Sequence, residues 1–294
     1  PLYFLILAAV LNIVLDLVFV LVFHWGVKGA AMATVISQYV SGVGIMLYYR
    51  VRFPHLQIQT HHMKWDGQIL KEIAGLSFLT CIQQSIMNLG ILMVQGLVNS
   101  FGTVVMAAFA AAVKIDSFAY MPVQDFGNAF STYIAQNFGA GKRERIQKGI
   151  KSSALVSFGF CLFISFCGWN RFGIMKNSAV PLMEIFVDPS HIDIVGVGVR
   201  YLRIEGAFYF GIGFLFLLYG FYRAVNRPGM SVVLTVISLG TRVFLAYTLA
   251  PIPSIGVTGI WASVPIGWIL ADLTGVIYYR KKKNQILTVR KEFL

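Results

Sequence analysis

Long apolar runs alternate with short polar stretches along the whole chain. A helix needs about 20 apolar residues to cross the hydrocarbon core of a bilayer. Eight such runs occur, at about 2–24, 27–49, 71–99, 103–136, 150–170, 196–222, 229–250 and 257–279. The third and fourth are long enough for their ends to enter the headgroup layer. Gly90, Pro122, Gly211 and Pro265 fall inside the runs, where neighbouring helices can satisfy freed backbone groups. Pro122 and Pro265 are the expected bends or static kinks. The stretch from Arg171 to Asp193 is mixed in charge and reads as a solvated outer loop, with a short interfacial helix as the alternative.

The chain repeats itself. Gly26 to Arg50 reads GVKGAAMATVISQYVSGVGIMLYYR, and Gly256 to Arg280 reads GVTGIWASVPIGWILADLTGVIYYR. The two align without a gap at an offset of 230 residues, each a G-V-x-G turn, an apolar span and a Tyr-Tyr-Arg stop. Tandem halves are the usual build of secondary transporters, whose sites lie where the halves meet. The second copy closes a set of six runs, the first a set of two. Matching units therefore imply four helices before Pro1, and the chain is expected to be the C-terminal part of a 12-helix protein.

Charge gives these helices a direction. Of the 24 Lys and Arg, 17 fall in the loops 50–71, 142–151 and 223–227 and in the tail. The opposite loops hold Lys28, Arg171 and Lys176. The positive-inside rule places the basic loops and the C-terminus in the cytoplasm. Composition agrees: 57% of residues are hydrophobic, 12% are charged and mean hydropathy is +0.72, whereas soluble domains carry about 25% charged residues. The net charge of +12 therefore reflects membrane orientation, not nucleic-acid binding. Cys81, Cys161 and Cys167 sit in apolar stretches without metal-ligand spacing. No nucleotide loop or nucleophile–base pair is visible, so neither enzyme activity nor a cofactor is expected. The Gly-rich turn at Asn137–Lys142 lacks the phosphate-loop spacing.

Ionisable groups inside a span cost several kcal/mol or more unless they face a cavity or a partner. Asn12 and Asp16 lie one turn apart on the first span, and Thr34 on the next run can add a hydroxyl. Together they suit Na⁺, which prefers oxygen ligands, or H⁺; a polar clamp between helices is the structural alternative. Asp116 either faces a substrate cavity or pairs with a cation such as Arg242. Glu205 lies roughly 14 Å along its run and is either protonatable or paired with Arg203 or Arg242. Asp125 and Asp272 read more simply as structural groups. Gln83 and Gln84 begin a polar stripe that Asn88 and Gln95 extend. Met121 and Tyr209, with neighbouring aromatics, can line a pocket for a flat cation, although packing or lipid contact explains them too.

At these residues the chain resembles the multidrug and toxic compound extrusion (MATE) family. The likeness rests on Asn12-Ile-Val-Leu-Asp16, the Gly26–Thr34 segment, Phe101-Gly102-Thr103, Ala135–Lys142, and Tyr222-Arg223-Ala224 followed by Pro228. It implies an all-α membrane fold of eight transmembrane helices. These are the last two helices of an N-lobe (1–50), a cytoplasmic linker (51–70) and a complete six-helix C-lobe (71–280) with a basic tail (281–294). It also implies a monomeric antiporter in the cell membrane that exports organic cations or other amphipathic drugs in exchange for Na⁺ or H⁺. Asn12, Asp16 and Thr34 match the family's N-lobe cation site. Family members with a C-lobe site carry acids on their seventh and tenth helices. Here those stretches read Ile82-Gln83-Gln84-Ser85 and Gly211-Ile212-Gly213, and Glu205 is the candidate substitute. A lipid or lipid-linked oligosaccharide flippase of the same superfamily, or a non-transporting fragment, are the alternatives.

Overall fold

The computed structural model describes residues 2–54, 65–173 and 180–287. The described elements are helical. They are α1 (Leu2–Leu17), which runs on through a π-helical turn (Val18–Val22), then α2 (Gly26–Arg52), α3 (Gly67–Asn99), α4 (Thr103–Gly139), α5 (Arg143–Gly173), α6 (Val180–Glu184), α7 (Ile192–Gly206), α8 (Tyr209–Ala224), α9 (Pro228–Leu249) and α10 (Val257–Ile286). Among the described residues, seven helices can each cross a membrane by length and composition, and the α7–α8 pair, bent by 53°, makes eight if counted as one span. The chain divides into two compact units, Pro1–Gln68 and Ile69–Leu294.

Two features differ from the sequence expectation, in the sixth and fifth runs. The sixth run is two helices, broken at Gly206–Tyr209, although it contains no proline. Pro122 and Pro265 lie inside helices that continue through them, which is compatible with either a bend or a static kink there. The fifth helix starts at Arg143, well before residue 150, because the intervening Arg, Glu, Gln and Lys residues are good helix formers. The Arg171–Asp193 stretch, for which a solvated loop and a short interfacial helix are both expected readings, contains the short α6. Its Met183 is fully buried, touching the spot where a Cβ on Gly198 would sit. Residues 174–179 lie outside the described residues.

The sequence repeat has a structural counterpart. Gly26 and Gly256 both adopt left-handed backbone, at φ 56° and 54°, which disfavours residues with a Cβ. Three residues on, Gly29 and Gly259 let the new helix start against the preceding one. A Cβ there would meet Phe19 Cβ at 2.9 Å and Leu249 Cβ at 2.7 Å, respectively. Both copies of G-V-x-G are therefore the same tight helical hairpin.

Within Ile69–Leu294, two buried clusters form the core. In one, Phe109 stacks on Trp261 at 5.3 Å between ring centroids, and Tyr201 meets both edge-on. The other gathers Ile134, Ile146, Tyr222 and Leu287, with the Tyr222 hydroxyl donating to the Gly275 carbonyl at 2.6 Å. Helices α4 and α8 hold the clusters together. They run side by side in the same direction: Tyr209 bonds Asp116, Tyr120 packs on Phe216, and eleven residues beyond the first pair Gly220 lies against Gly127. Eleven residues is about three helical turns, so the first and last contacts fall on one face of each helix.

Candidate functional site

A cavity of about 290 Å³ lies between the two clusters, lined by residues of α3, α4, α7, α8, α9 and α10. Its chemistry comes from three helices. Helix α4 supplies Asp116 and Tyr120, α7 supplies Tyr201 and Glu205, and α9 supplies Ser238 and Arg242. Tyr201 and Glu205 are one turn apart, so α7 presents both on a single face. Trp268 of α10 and Met87, Ile91 and Gln95 of α3 complete the wall.

Two carboxylates and one guanidinium face each other there. The Tyr209 hydroxyl donates to Asp116 Oδ1, and the Tyr201 hydroxyl lies close to both acids. The Arg242 charge acts on Asp116 and Glu205 alike. Glu205 is only 2% exposed, and its Oε1 has no hydrogen-bond partner; neither does Arg242 Nε. Buried polar atoms are normally paired, so Glu205 Oε1 is poised for a proton or cation and Arg242 Nε for an acceptor. With both acids ionised the trio carries a net charge of −1, which a proton or a monovalent cation balances.

The helix break sits beside this cluster. Glu205 is the penultimate residue of α7. Ser165 Oγ donates to the Gly206 carbonyl at 2.6 Å, satisfying an acceptor that the interrupted helix leaves over. Non-helical backbone at membrane depth is tolerated where it borders a cavity, as it does here.

The other sequence candidates fall in various places. Within the Pro1–Gln68 unit, α1 and α2 bring Asn12 and Thr34 together, Asn12 Nδ2 donating to Thr34 Oγ1 at 3.4 Å. The Thr34 hydroxyl donates onward to the Ala30 carbonyl at 3.0 Å. Asp16 follows one turn after Asn12, and its Oδ1 is buried without a partner. In the other unit, Asp116, Glu205 and Tyr209 converge, Tyr209 from beside the cavity wall. Gln83 is buried in α3 away from the cavity, and Gln84 is exposed. Met121 and Phe118 project outward, 60% and 74% exposed. Lys114 and Asp125 are exposed on α4, and Arg203 on α7. Asp272 is half-buried against Gly211, with Oδ1 unpartnered. Sequence reasoning missed Tyr201 and Trp268. The spacing of Tyr201 to Glu205 was the available signal for the first; nothing in the apolar run marked the second.

Apolar helices closed around a buried acid–guanidinium cluster define an α-helical integral membrane protein with a polar interior cavity, the build of a secondary transporter. The sequence model of the MatE family matches residues 76–248, more than half of the chain. The chain belongs to that family, and it is a multi-pass membrane protein. It is 29% identical over 285 residues to the probable multidrug resistance protein YpnP of Bacillus subtilis, covering 95% of this chain and 60% of the relative. It is 25% identical over 270 residues to the probable multidrug resistance protein NorM of Thermotoga maritima, covering 90% and 55%. Its fold matches the outward-facing conformation of a multidrug resistance MATE family transporter at a TM-score of 0.85 and 22% identity, covering 97% of this chain and 62% of the other. The chain thus spans about 60% of the length of the curated relatives it matches.

Proposed function

We propose that the whole protein is a secondary active antiporter that exports organic cations or other amphipathic compounds in exchange for Na⁺ or H⁺. The observation that carries this reading is the buried Asp116–Glu205–Arg242 group on a cavity inside a membrane bundle. One positive charge balances it, so a coupling ion and a cationic substrate compete for the same carboxylates. Such competition is the simplest physical basis for exchange. Each ligand drives the cycle only through its difference in affinity for the two conformations. The relatives' names, which refer to multidrug resistance, support the same cargo class. Asn12, Asp16 and Thr34 form a second, oxygen-rich cation site in the other unit.

On this reading α1 and α2 belong to one lobe and α3–α10 to the other, with the basic helix ends in the cytoplasm. The flippase alternative gains nothing from the relatives' names, and the acid-rich cavity suits cationic cargo better.

The test is efflux of a fluorescent organic cation from a drug-hypersensitive host expressing the whole gene product. Export should collapse when the Na⁺ and H⁺ gradients are dissipated. Asp16→Asn should lose coupled export at normal abundance. Unchanged resistance and unchanged ion dependence in that variant would remove Asp16 from the scheme, and gradient-independent export by the wild type would sink antiport itself.

A further inference from the structure

A second concavity, of about 540 Å³, lies at the opposite end of α4 from its start, where α4 ends and α5 begins. It is lined by Tyr133, Gln136 and Asn137 of α4 and by Lys142, Arg145 and Lys148 at the start of α5, with Ala140 in the turn. The three cations recur every third residue, which keeps them on neighbouring positions of the first two turns. The N-terminal end of α5 adds the positive end of its dipole. Glu144, in that first turn, does not line the concavity.

The wall is built, not incidental. Asn137 is nine-tenths buried; its side chain donates to the Tyr133 carbonyl at 2.8 Å, while its own carbonyl accepts the Lys142 N–H at 2.9 Å. The Tyr133 hydroxyl donates to the Arg145 carbonyl at 3.2 Å. Its ring nests on α5 only because residue 149 is glycine: a Cβ there would lie 2.4 Å from Tyr133 Cε1. These contacts fix the turn and hold an aromatic face opposite the three cations.

We propose that this concavity binds the phosphate headgroup of an anionic phospholipid. Its position favours lipid over a soluble anion. The three cations lie within about 12 Å, measured along α5, of the start of its apolar run at residue 150, which brings them close to the headgroup layer. Basic pockets between membrane helices recognise headgroups by this combination of charge and shape. The cavity described above has the opposite charge and does not share these residues, so this site is independent of the antiport reading.

The experiment is native mass spectrometry of the purified whole protein with equal amounts of phosphatidylglycerol and phosphatidylcholine. Phosphatidylglycerol should be retained preferentially. K142Q/R145Q/K148Q should weaken that preference by at least about tenfold. K281Q/K282Q/K283Q, which removes the same charge from the end of α10, should leave it unchanged. Gly149→Ala, which displaces the ring and keeps every charge, should weaken it as well and serves if the triple variant is poorly folded. Equal losses in both triple variants, with none in Gly149→Ala, would reduce the effect to bulk charge and overturn the site. Thermal stabilisation by inorganic phosphate without any phosphatidylglycerol preference would overturn the lipid assignment.

Discussion

Gly220 offers a measurable test of how closely α4 and α8 pack. A Cβ at this position would lie 2.6 Å from the Gly127 carbonyl oxygen and 3.3 Å from Ser131 Cβ. Ordinary C···O contacts begin near about 3.3 Å, so Gly220→Ala forces the helices apart by roughly 0.7 Å at that level. The atom in the way is helix backbone, and no side-chain rotation relieves the clash. Overpacking of this kind costs about 1–3 kcal/mol. Alanine returns about 1 kcal/mol of helix propensity, leaving a net loss of about 0–2 kcal/mol. Gly240→Ala is the matched control: it also lies inside a helix, α9, but nothing sits within 4 Å of its Cβ position, so only the propensity gain should remain. Tryptophan fluorescence during thermal unfolding in detergent should place Gly220→Ala below the wild type and Gly240→Ala at or above it. A Gly220→Ala protein as stable as Gly240→Ala would refute the close crossing, and with it the alignment that brings Tyr209 to Asp116.

Two further outcomes follow from charges. Arg242→Met removes the positive charge that acts on both Asp116 and Glu205; it should cost about 1–3 kcal/mol, and adding Asp116→Asn should recover part of that loss in the same unfolding assay. Equal stability of the single variant and the wild type would mean that the Arg242 charge does not offset the acids. In the loop before α7, Asp188 Oδ1 accepts the Ser190 N–H at 2.9 Å, and that bond, helped by the Ser190 hydroxyl, holds its carboxyl below the usual Asp range. A depressed carboxyl contributes fully above its unfolded value of about 3.9 and loses the contribution as pH falls through the folded value. Hydrogen exchange at Ser190 should therefore be slower in the wild type than in Asp188→Ala at neutral pH, and the difference should vanish in strong acid. Equal exchange at neutral pH would contradict it.

The apolar runs were legible because membrane helices must satisfy their own backbone and expose apolar side chains. The polar pair Asn12–Thr34 was legible for a related reason: few polar residues lie inside the spans, and those that do must meet one another. The break at Gly206–Tyr209 was not. Prolines attract the expectation of a bend, yet this break is stabilised by Ser165, far away in sequence, and no local pattern reports that bond. Arg242 was visible as a partner for either acid. That it serves both at once depends on how α4, α7 and α9 converge, which periodicity along one helix does not encode. Met121 illustrates the converse limit: an aromatic and Met-rich stretch specifies an apolar face, not whether that face lines a cavity.

The proposed coupling carboxylate is Glu205, at the helix break, and Glu205→Gln in the whole gene product tests that role most directly. The substitution keeps the shape of the side chain and removes its charge. Proteoliposomes carrying the variant should bind organic cation more weakly than the wild type, and their efflux should lack the pH or Na⁺ dependence expected of the wild type. Efflux by Glu205→Gln with the wild-type rate and the wild-type ion dependence would contradict the account.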